Sequence, residues 1–256
     1  MLIAVNAGNS RILLGGYEED AQVFAASIAT EPRKVQDDYA CKLQQVFGLY
    51  GADAARIRGA VIGSVVPGLA AELEGALRLL GVTDVIEVSS GIRTGLNIRS
   101  EQPRQIGSDR VAAAVAARAK GRLPCVAVSL GTATTFTVLD VSGALVGSAI
   151  TAGVQLGVDA LREQAAQLPA VAIDAADEGV LARNTADAMR VGAVYGAAAL
   201  VDGMIERYAG ALGQYPYTVV TGAMAPLVMP YLRVPYEYDP RLVLDGLHLI
   251  WKRNRS

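Results

Sequence analysis

The fold is decided by a short stretch that occurs twice in the chain, as Ala4-Val5-Asn6-Ala7-Gly8-Asn9-Ser10 near the start and as Ala127-Val128-Ser129-Leu130-Gly131-Thr132-Ala133 near the middle. In each copy an apolar run ends in a small polar residue and a glycine, and a second apolar run follows. This order predicts a strand, a tight turn and a second strand. The chain is therefore expected to contain two half-domains of similar build, residues 1–115 and 116–256, on either side of a cleft.

The rest of the chain alternates apolar runs with Ala-rich stretches, which is typical of an α/β protein with a largely buried sheet. Further turns are predicted at Gly15-Gly16 and Ser142-Gly143, each leading into more strand. Predicted helices cover 71–80 and 111–120, each closed by a glycine, and a third runs from the capping Asn184 to Tyr208.

The third helix carries Gly192 and Gly196 four residues apart on one face. Missing side chains there allow another helix to approach closely, either inside the core or at a subunit interface. Its most apolar part, Val191 to Val201, is about half the roughly 20 residues that a membrane span needs. We expect a buried helix and no membrane partner.

The composition excludes several chemistries. One His and two Cys cannot form a closed zinc site or a disulfide framework, which favours a reducing, cytoplasmic location. A net charge of −2 and 5% aromatic residues argue against nucleic-acid binding and leave small metabolites as partners. His248 is expected on an exposed or capped helix position, and Lys252 to Arg255 as a disordered tail.

Any phosphate group that this protein binds must be bound without the usual glycine-rich nucleotide loops. No two glycines are separated by a single residue and no Gly-Lys pair occurs, so neither the dinucleotide fingerprint nor a P-loop is present. The two repeated turns, Gly8-Asn9-Ser10-Arg11 and Gly131 to Thr135, could instead direct backbone N–H groups at an anion. The alternative is that each is only a hairpin turn.

A second candidate site is Gly107-Ser108-Asp109-Arg110, which precedes a predicted helix. Asp109 or Ser108 could simply cap that helix. The functional alternative is a carboxylate that accepts a hydroxyl proton beside an arginine that orients an anion. Three more arginines nearby suit an anionic substrate: Arg93, Arg99 and Arg104.

The sequence resembles the type III pantothenate kinases, the family that includes the Bvg accessory factor proteins. The resemblance is carried nearly end to end by matching pieces: 5–10, 64–67, 94–96, 103–110, 130–136, 184–185, 221–226 and 239–247. It implies a duplicated acetate kinase/actin-like (ribonuclease H-like) fold, a homodimer, and transfer of the ATP γ-phosphate to pantothenate in coenzyme A biosynthesis. It also implies Mg²⁺ and a monovalent cation.

The resemblance assigns roles to residues where the motifs match. Asp109 corresponds to the general base. The substrate-binding positions are Gly107, Ser108, Arg110, Thr185 and Ser100. The ATP-binding positions are Asn6, Ala7, Gly8, Asn9, Ser10, Arg11, Gly131 and Thr132.

Three of these positions depart from the family pattern. The opening motif of the family begins with Asp where this chain has Asn6, and its cation-binding Asp is replaced by Ser129. A substrate-contacting Tyr is replaced by Ser100. Asn6 and Ser129 are equivalent positions of the repeat, so both metal positions have lost their carboxylate. Removing one such electrostatic contact costs on the order of 3 to 4 kcal/mol of barrier.

Two hypotheses follow. The chain is a pantothenate kinase subunit that is weak alone, or that works in a heterodimer with a paralogous subunit carrying the missing carboxylates. Alternatively, it is a non-catalytic binding or regulatory protein that senses a nucleotide or a pantothenate-like ligand.

Overall fold

The computed structural model describes residues 1–165, 167–173 and 179–255, which form two compact units. The first unit comprises Met1–Leu96, Glu101–Ala119 and Arg241–Ser256. The second comprises Asn97–Ser100 and Lys120–Pro240. Each unit has its own five-stranded sheet.

The first sheet has the strand order β3-β2-β1-β4-β5. Its strands are β1 (Leu2–Ala7), β2 (Arg11–Glu18), β3 (Ala21–Ala29), β4 (Gly59–Ser64) and β5 (Val85–Glu87). The central strand β1 pairs antiparallel with β2 and parallel with β4, so that Asn6 lies opposite Leu13 on one side and Gly63 on the other. The carboxyl ends of β1 and β4 therefore meet at one edge of the sheet.

The second sheet repeats this topology in the order β10-β9-β6-β7-β8. Its strands are β6 (Cys125–Leu130), β7 (Ala133–Leu139), β8 (Leu145–Ala152), β9 (Tyr217–Thr221) and β10 (Glu237–Tyr238). Strand β6 is antiparallel to β7 and parallel to β9, as β1 is to its neighbours. Asn6 in β1 and Ser129 in β6 occupy the same position of the repeat, each one residue before its strand ends. The predicted duplicated α/β fold is confirmed.

Seven helices accompany the sheets in the described residues, together with short 3₁₀ turns at Ala54–Arg56, Pro103–Gln105 and Met229–Tyr231. The helices are α1 (Gln36–Leu49), α2 (Leu69–Leu79), α3 (Ser108–Ala119), α4 (Val154–Gln164), α5 (Thr185–Leu212), α6 (Ala225–Val228) and α7 (Leu242–Arg255). The predicted stops after α2 and α3 are confirmed, because Gly81 and Gly121 both adopt positive φ.

The first sheet is covered on both faces, which explains its continuous apolar strands. Ile3 and Val5 point to the face where α1 and α2 pack, and both are fully buried. Gly63 points to the other face, where it lies against Leu247 of α7 and Ser108 of α3. Burial therefore fixes the register of the two central strands and, with it, the position of their carboxyl ends.

One predicted turn is wrong. Gly15 and Gly16 lie inside β2, where the pairing with β3 shifts register next to Tyr17. A side chain at Gly16 would overlap the ring of Phe24, so these glycines make room for neighbouring side chains and do not form a turn. The turn at Ser142-Gly143 is confirmed between β7 and β8.

The C-terminal helix α7 belongs to the first unit, whereas the predicted boundaries placed it with the second half. Its apolar face packs on α3 and on β1, and Gly246 approaches the backbone of Ala112 so closely that a side chain would overlap the carbonyl group. The expected disordered tail is wrong as well, because α7 continues through Arg255. The chain thus returns to its first sheet after completing the second.

His248 of α7 is buried in the middle of the helix, contrary to the expected exposed or capped position. Its ring stacks on Tyr17 at 4.5 Å between centroids, and Nε2 lies 3.2 Å from the Asp20 carboxylate. Tyr17 in turn donates a hydrogen bond of 2.7 Å to Asp245. The histidine therefore helps to fasten α7 to the β2–β3 hairpin.

Helix α5 is longer and less buried than predicted. It spans 28 residues, and by length and composition alone it could cross a membrane, a test that a helix of a globular protein can also pass. Only one face is buried, through Met189, Val194, Ala198, Val201 and Ile205. A side chain at Gly192 or Gly196 would meet no atom within 4 Å, so the core-packing alternative for this pair is wrong.

Candidate active site

The β1–β2 turn holds the first set of predicted ATP-binding residues. Gly8 donates its N–H to the carbonyl of Arg11 (3.0 Å), and Thr30 Oγ1 donates to the Gly8 carbonyl (2.7 Å). Asn9, Ser10 and Arg11 are exposed at the tip. Thr30, which the sequence reasoning did not single out, directly follows β3 and fixes the shape of this turn from there.

Asn6 stands directly before this turn and is half-buried. Its side-chain oxygen Oδ1 is buried and has no hydrogen-bond partner. A buried acceptor without a partner costs about 1 to 3 kcal/mol, so native structures rarely keep one without a reason. An oxygen in this state is available to a donor or a cation that approaches the end of β1.

The β6–β7 turn is the equivalent element of the second unit. Gly131 donates to the carbonyl of Ala133 (3.1 Å), and Gly153 donates to the carbonyl of Thr132 (3.0 Å). A side chain at Gly153 would overlap the backbone of Gly131 and Thr132. The turn therefore packs directly against the backbone at the start of α4. The sequence reasoning missed this contact, although a glycine after a strand often indicates that another backbone segment approaches closely.

Gly222 supports the same turn from β9. Its φ of +104° is in the region that favours glycine, and a side chain there would overlap the backbone of Leu130. Met224 N–H then donates to the Leu130 carbonyl (2.9 Å). Gly153 and Gly222 therefore let the surrounding backbone pack closely against the end of β6 and its turn, and no side chain of the turn takes part.

The start of α3 places Asp109 at the carboxyl edge of the first sheet. Ser108 is buried and donates its hydroxyl to the Ser64 carbonyl at the end of β4 (3.1 Å). Asp109 follows, half-buried, and Oδ1 accepts the N–H of Arg110 (2.8 Å). Since β4 runs parallel to β1 and Val65 N–H binds the Ala7 carbonyl (3.1 Å), this edge also carries the β1–β2 turn.

The capping alternative for this motif is only partly right. The carbonyl of Gly107 accepts the N–H groups of Arg110 and Val111, so the helix begins directly after Gly107. The Asp109 carboxylate shares the Arg110 N–H with that carbonyl and lies at the positive end of the helix dipole. Its second oxygen leaves the carboxylate able to accept a proton as well, so capping and proton transfer are compatible roles.

The remaining predicted substrate residues lie in the second unit. Thr185 is the first residue of α5, whose predicted cap is confirmed because Asn184 accepts the N–H of Asp187 (2.9 Å). Thr185 lines an apolar cavity of about 460 Å³ between α4, α5 and the end of β8. Ser100 ends a short segment whose backbone pairs with Leu145 through Asn97 and Arg99. The predicted residues are thus divided between the two units.

The donor set does not fit a cation held by carboxylates. Across residues 1–165, 167–173 and 179–255, no group of three or more His, Cys, Asp or Glu side chains could hold a metal ion. At the predicted metal positions Asn6 offers an amide oxygen and Ser129 a hydroxyl, and both are neutral. Mg²⁺ is normally bound through one or two carboxylates.

Comparison with known proteins identifies relatives along the whole chain. The family model for type III pantothenate kinase matches residues 2–207. Type III pantothenate kinases from Geotalea daltonii and from an Anaeromyxobacter species (strain Fw109-5) are 36% and 38% identical, and each alignment covers 100% of both chains.

Solved structures share the fold at low sequence identity. A Baf family protein from Campylobacter jejuni superposes with a TM-score of 0.60 at 17% identity, covering 99% of this chain and 98% of that one. The activator of 2-hydroxyisocaproyl-CoA dehydratase from Clostridium difficile, solved with ADPNP, gives 0.56 at 11% identity and covers 100% and 96%. From the family match and the full-length relatives, the chain belongs to the type III pantothenate kinase family.

Proposed function

We propose that the chain is a subunit of a pantothenate kinase, which transfers the γ-phosphate of ATP to a hydroxyl of pantothenate in the cytoplasm. The observation that carries this proposal is the edge of the first sheet, where the β1–β2 turn and the Gly107–Arg110 motif lie together in a member of this kinase family. Both cysteines are free, which agrees with a reducing compartment.

The chain's own residues supply positioning and proton transfer. ATP, when bound, supplies the phosphoryl group. Asp109 accepts the proton of the substrate hydroxyl, and Arg110 orients the substrate carboxylate. Backbone N–H groups of the two glycine turns hold the phosphates. Phosphoryl transfer relies mainly on such positioning and on charge stabilisation. The residues that provide the positioning are retained in this chain.

Charge stabilisation is the part that this chain lacks. Asn6 and Ser129 are neutral at the two equivalent strand ends. Each missing contact costs on the order of 3 to 4 kcal/mol, or at least a hundredfold in rate. The isolated chain is therefore a weak kinase, and we propose that it works beside a paralogous subunit that has aspartates at these positions.

The exposed face of α5 is the surface we assign to that partner. Gly192 and Gly196 are exposed with open space around them, and two leucines that line the same cavity are exposed as well: Leu161 and Leu200. A contiguous apolar surface of this kind marks an interaction site. A second chain of the same fold suits it, since small residues on one helix admit the close approach of another helix. The cavity that includes Thr185 lies on this face.

The test uses the chain purified alone and the complex purified from its native cells. We expect ADP release from ATP and pantothenate to be slow for the single chain and fast for the complex. Gly196→Leu should keep the thermal stability of the single chain and prevent the complex from forming. Gly210 is also exposed, and a side chain there would meet no atom within 4 Å, so Gly210→Leu should leave the complex intact. If neither preparation phosphorylates pantothenate, the proposal fails.

A non-catalytic ligand-binding role is the alternative, and the same neutral positions are its only support. Calorimetry with ATP and with pantothenate separates the two. Binding of both ligands without turnover in any preparation would favour the regulatory role, and turnover by the complex would exclude it.

A further inference from the structure

The loop that follows β5 is held through its backbone by the last turn of α7. Asn254 Oδ1 accepts the N–H of Arg93 (3.2 Å), and Asn254 Nδ2 donates to the carbonyl of Arg93 (3.1 Å). Nδ2 also donates to the carbonyl of Ile250 one turn earlier in the same helix (2.8 Å). One amide side chain thus binds both polar groups of one loop residue.

The orientation of this amide is fixed by its partners. Two carbonyl groups face Nδ2 and one N–H faces Oδ1, so rotating the amide by 180° would oppose donor to donor and acceptor to acceptor. Only asparagine among residues of this size offers one acceptor and two donors. Aspartate would keep the bond to the Arg93 N–H but would place negative charge against two carbonyls at the negative end of a helix.

Two further arginines hold the same loop at Gly95. Arg118, in the last turn of α3, donates to the Gly95 carbonyl, and the Arg253 guanidinium occupies the space where a side chain of residue 95 would stand. Gly95 has a φ of +72°, which favours glycine. All these contacts are to backbone, so they specify the path of the loop and not the identity of its side chains.

The path of the loop matters because the chain continues from Leu96 directly into the segment that ends at Ser100. That segment is held at its other end in the second unit: Arg99 N–H donates to the Leu145 carbonyl (2.8 Å), and the Arg99 side chain pairs with Asp140 (3.1 Å). Helix α7 also packs against α3, which carries Asp109. The same helix therefore contacts both stretches that lead to predicted substrate residues.

We propose that Asn254 is a positioning residue for substrate binding: by fixing the backbone of Arg93 it fixes the start of the segment that leads to Ser100. Asn254 touches no reacting atom and acts only through this loop. The link to pantothenate rests on the proposed function, whereas the hold on Arg93 does not.

The first experiment measures hydrogen exchange at the amides of residues 93–96 in the full chain. Losing the two hydrogen bonds to Arg93 should raise their exchange at least about tenfold in Asn254→Ala. Asn254→Asp should raise it less, because the carboxylate can still accept the Arg93 N–H and loses only the bonds that Nδ2 donates. Arg255→Ala is the matched control, because Arg255 is the next residue of α7 but pairs with Asp84 instead. Exchange that is unchanged in Asn254→Ala, or raised equally in the control, overturns the proposal.

The second experiment measures steady-state kinetics of the complex that contains each variant. A positioning role predicts a KM for pantothenate raised about three- to tenfold, in line with the loss of one or two hydrogen bonds, with KM for ATP and kcat changed less than about twofold. A fall in kcat with both KM values unchanged, matched by a fall in thermal stability, would show a merely structural contact and overturn the proposal. Absence of pantothenate phosphorylation already in the wild-type complex would refute the proposed function instead, and the exchange result would still decide the role of Asn254 at Arg93.

Discussion

Replacing Asn6 and Ser129 together by aspartate would return a carboxylate to the end of each central strand. Asn6→Asp keeps the size of the side chain, whereas Ser129→Asp adds two heavy atoms; the two positions are equivalent in β1 and β6. The native Asn6 Oδ1 is already buried without a partner. A carboxylate oxygen in its place is a much stronger ligand for a cation, so the change converts a neutral acceptor into a counter-charge.

The magnitude follows from two opposing effects. Each restored electrostatic contact is worth on the order of 3 to 4 kcal/mol in the transition state, so turnover of the single chain should rise by roughly 10² or more. Without metal and nucleotide, the new carboxylate at position 6 is half-buried and uncompensated, which should lower the free energy of unfolding by about 1 to 3 kcal/mol. Mg²⁺ with nucleotide should recover that loss by mass action.

The assays are ADP release with pantothenate and thermal unfolding, each with EDTA or with Mg²⁺ and nucleotide. Ser27→Asp with Gln214→Asp is the control, because it adds the same charge at two exposed positions outside the site. We expect the unfolding temperature of the site variant to fall in EDTA and to rise with Mg²⁺–ADP more than that of the wild type. A folded site variant with unchanged turnover and an unchanged response to Mg²⁺–ADP would refute the reasoning.

The other predictions concern stability and are measured by denaturant or thermal unfolding. Gly246→Ala should destabilise the protein by more than about 2 kcal/mol, because the added methyl group overlaps the Ala112 carbonyl, whereas Gly210→Ala on α5 has open space and should stabilise by roughly 0.5 kcal/mol. Burial, and secondly the hydrogen bond to Asp245, raise the pKa of Tyr17 above its usual value. The folded state then keeps the phenol proton after the unfolded chain has lost it, so stability is retained below about pH 10 and falls above it by up to about 1.4 kcal/mol per pH unit. Tyr17→Phe should reduce that fall, and an unchanged slope would contradict the assignment.

Sequence reasoning was most successful where a pattern is local and repeated. The two strand–turn–strand stretches predicted the duplication, because an apolar run of fixed length and a glycine turn constrain the backbone directly. The helix stops at Gly81 and Gly121 were predictable for the same reason. The family resemblance added the catalytic and binding residues, which stay predictions.

The failures have a common physical cause, because each depended on distant contacts. The Gly15-Gly16 pair resembles a turn, yet the ring of Phe24 on the adjacent strand requires the missing side chain at Gly16. His248 and the residues up to Arg255 are polar enough to predict exposure or disorder, but their partners lie in β2, its hairpin and the loop at Arg93. Nothing near them in the sequence indicates these contacts.

The ends of β1 and β6, one in each unit, both depart from the family pattern, whereas the start of α3 matches it. At the start of α3, Asp109 retains a carboxylate in a defined first-turn geometry, and Ser108 still ties it to β4. A chain released from all catalytic constraint would have no reason to keep that arrangement while losing charge only at the two equivalent cation positions. A subunit whose partner holds the cation would lose charge in just this pattern, since its own metal positions are then redundant while Asp109 and its neighbours are still used. The replacement of the family's Tyr by Ser100 is a separate change that this does not explain. Under the proposed function, the neutral pair, Asn6 and Ser129, therefore fits a division of labour between subunits.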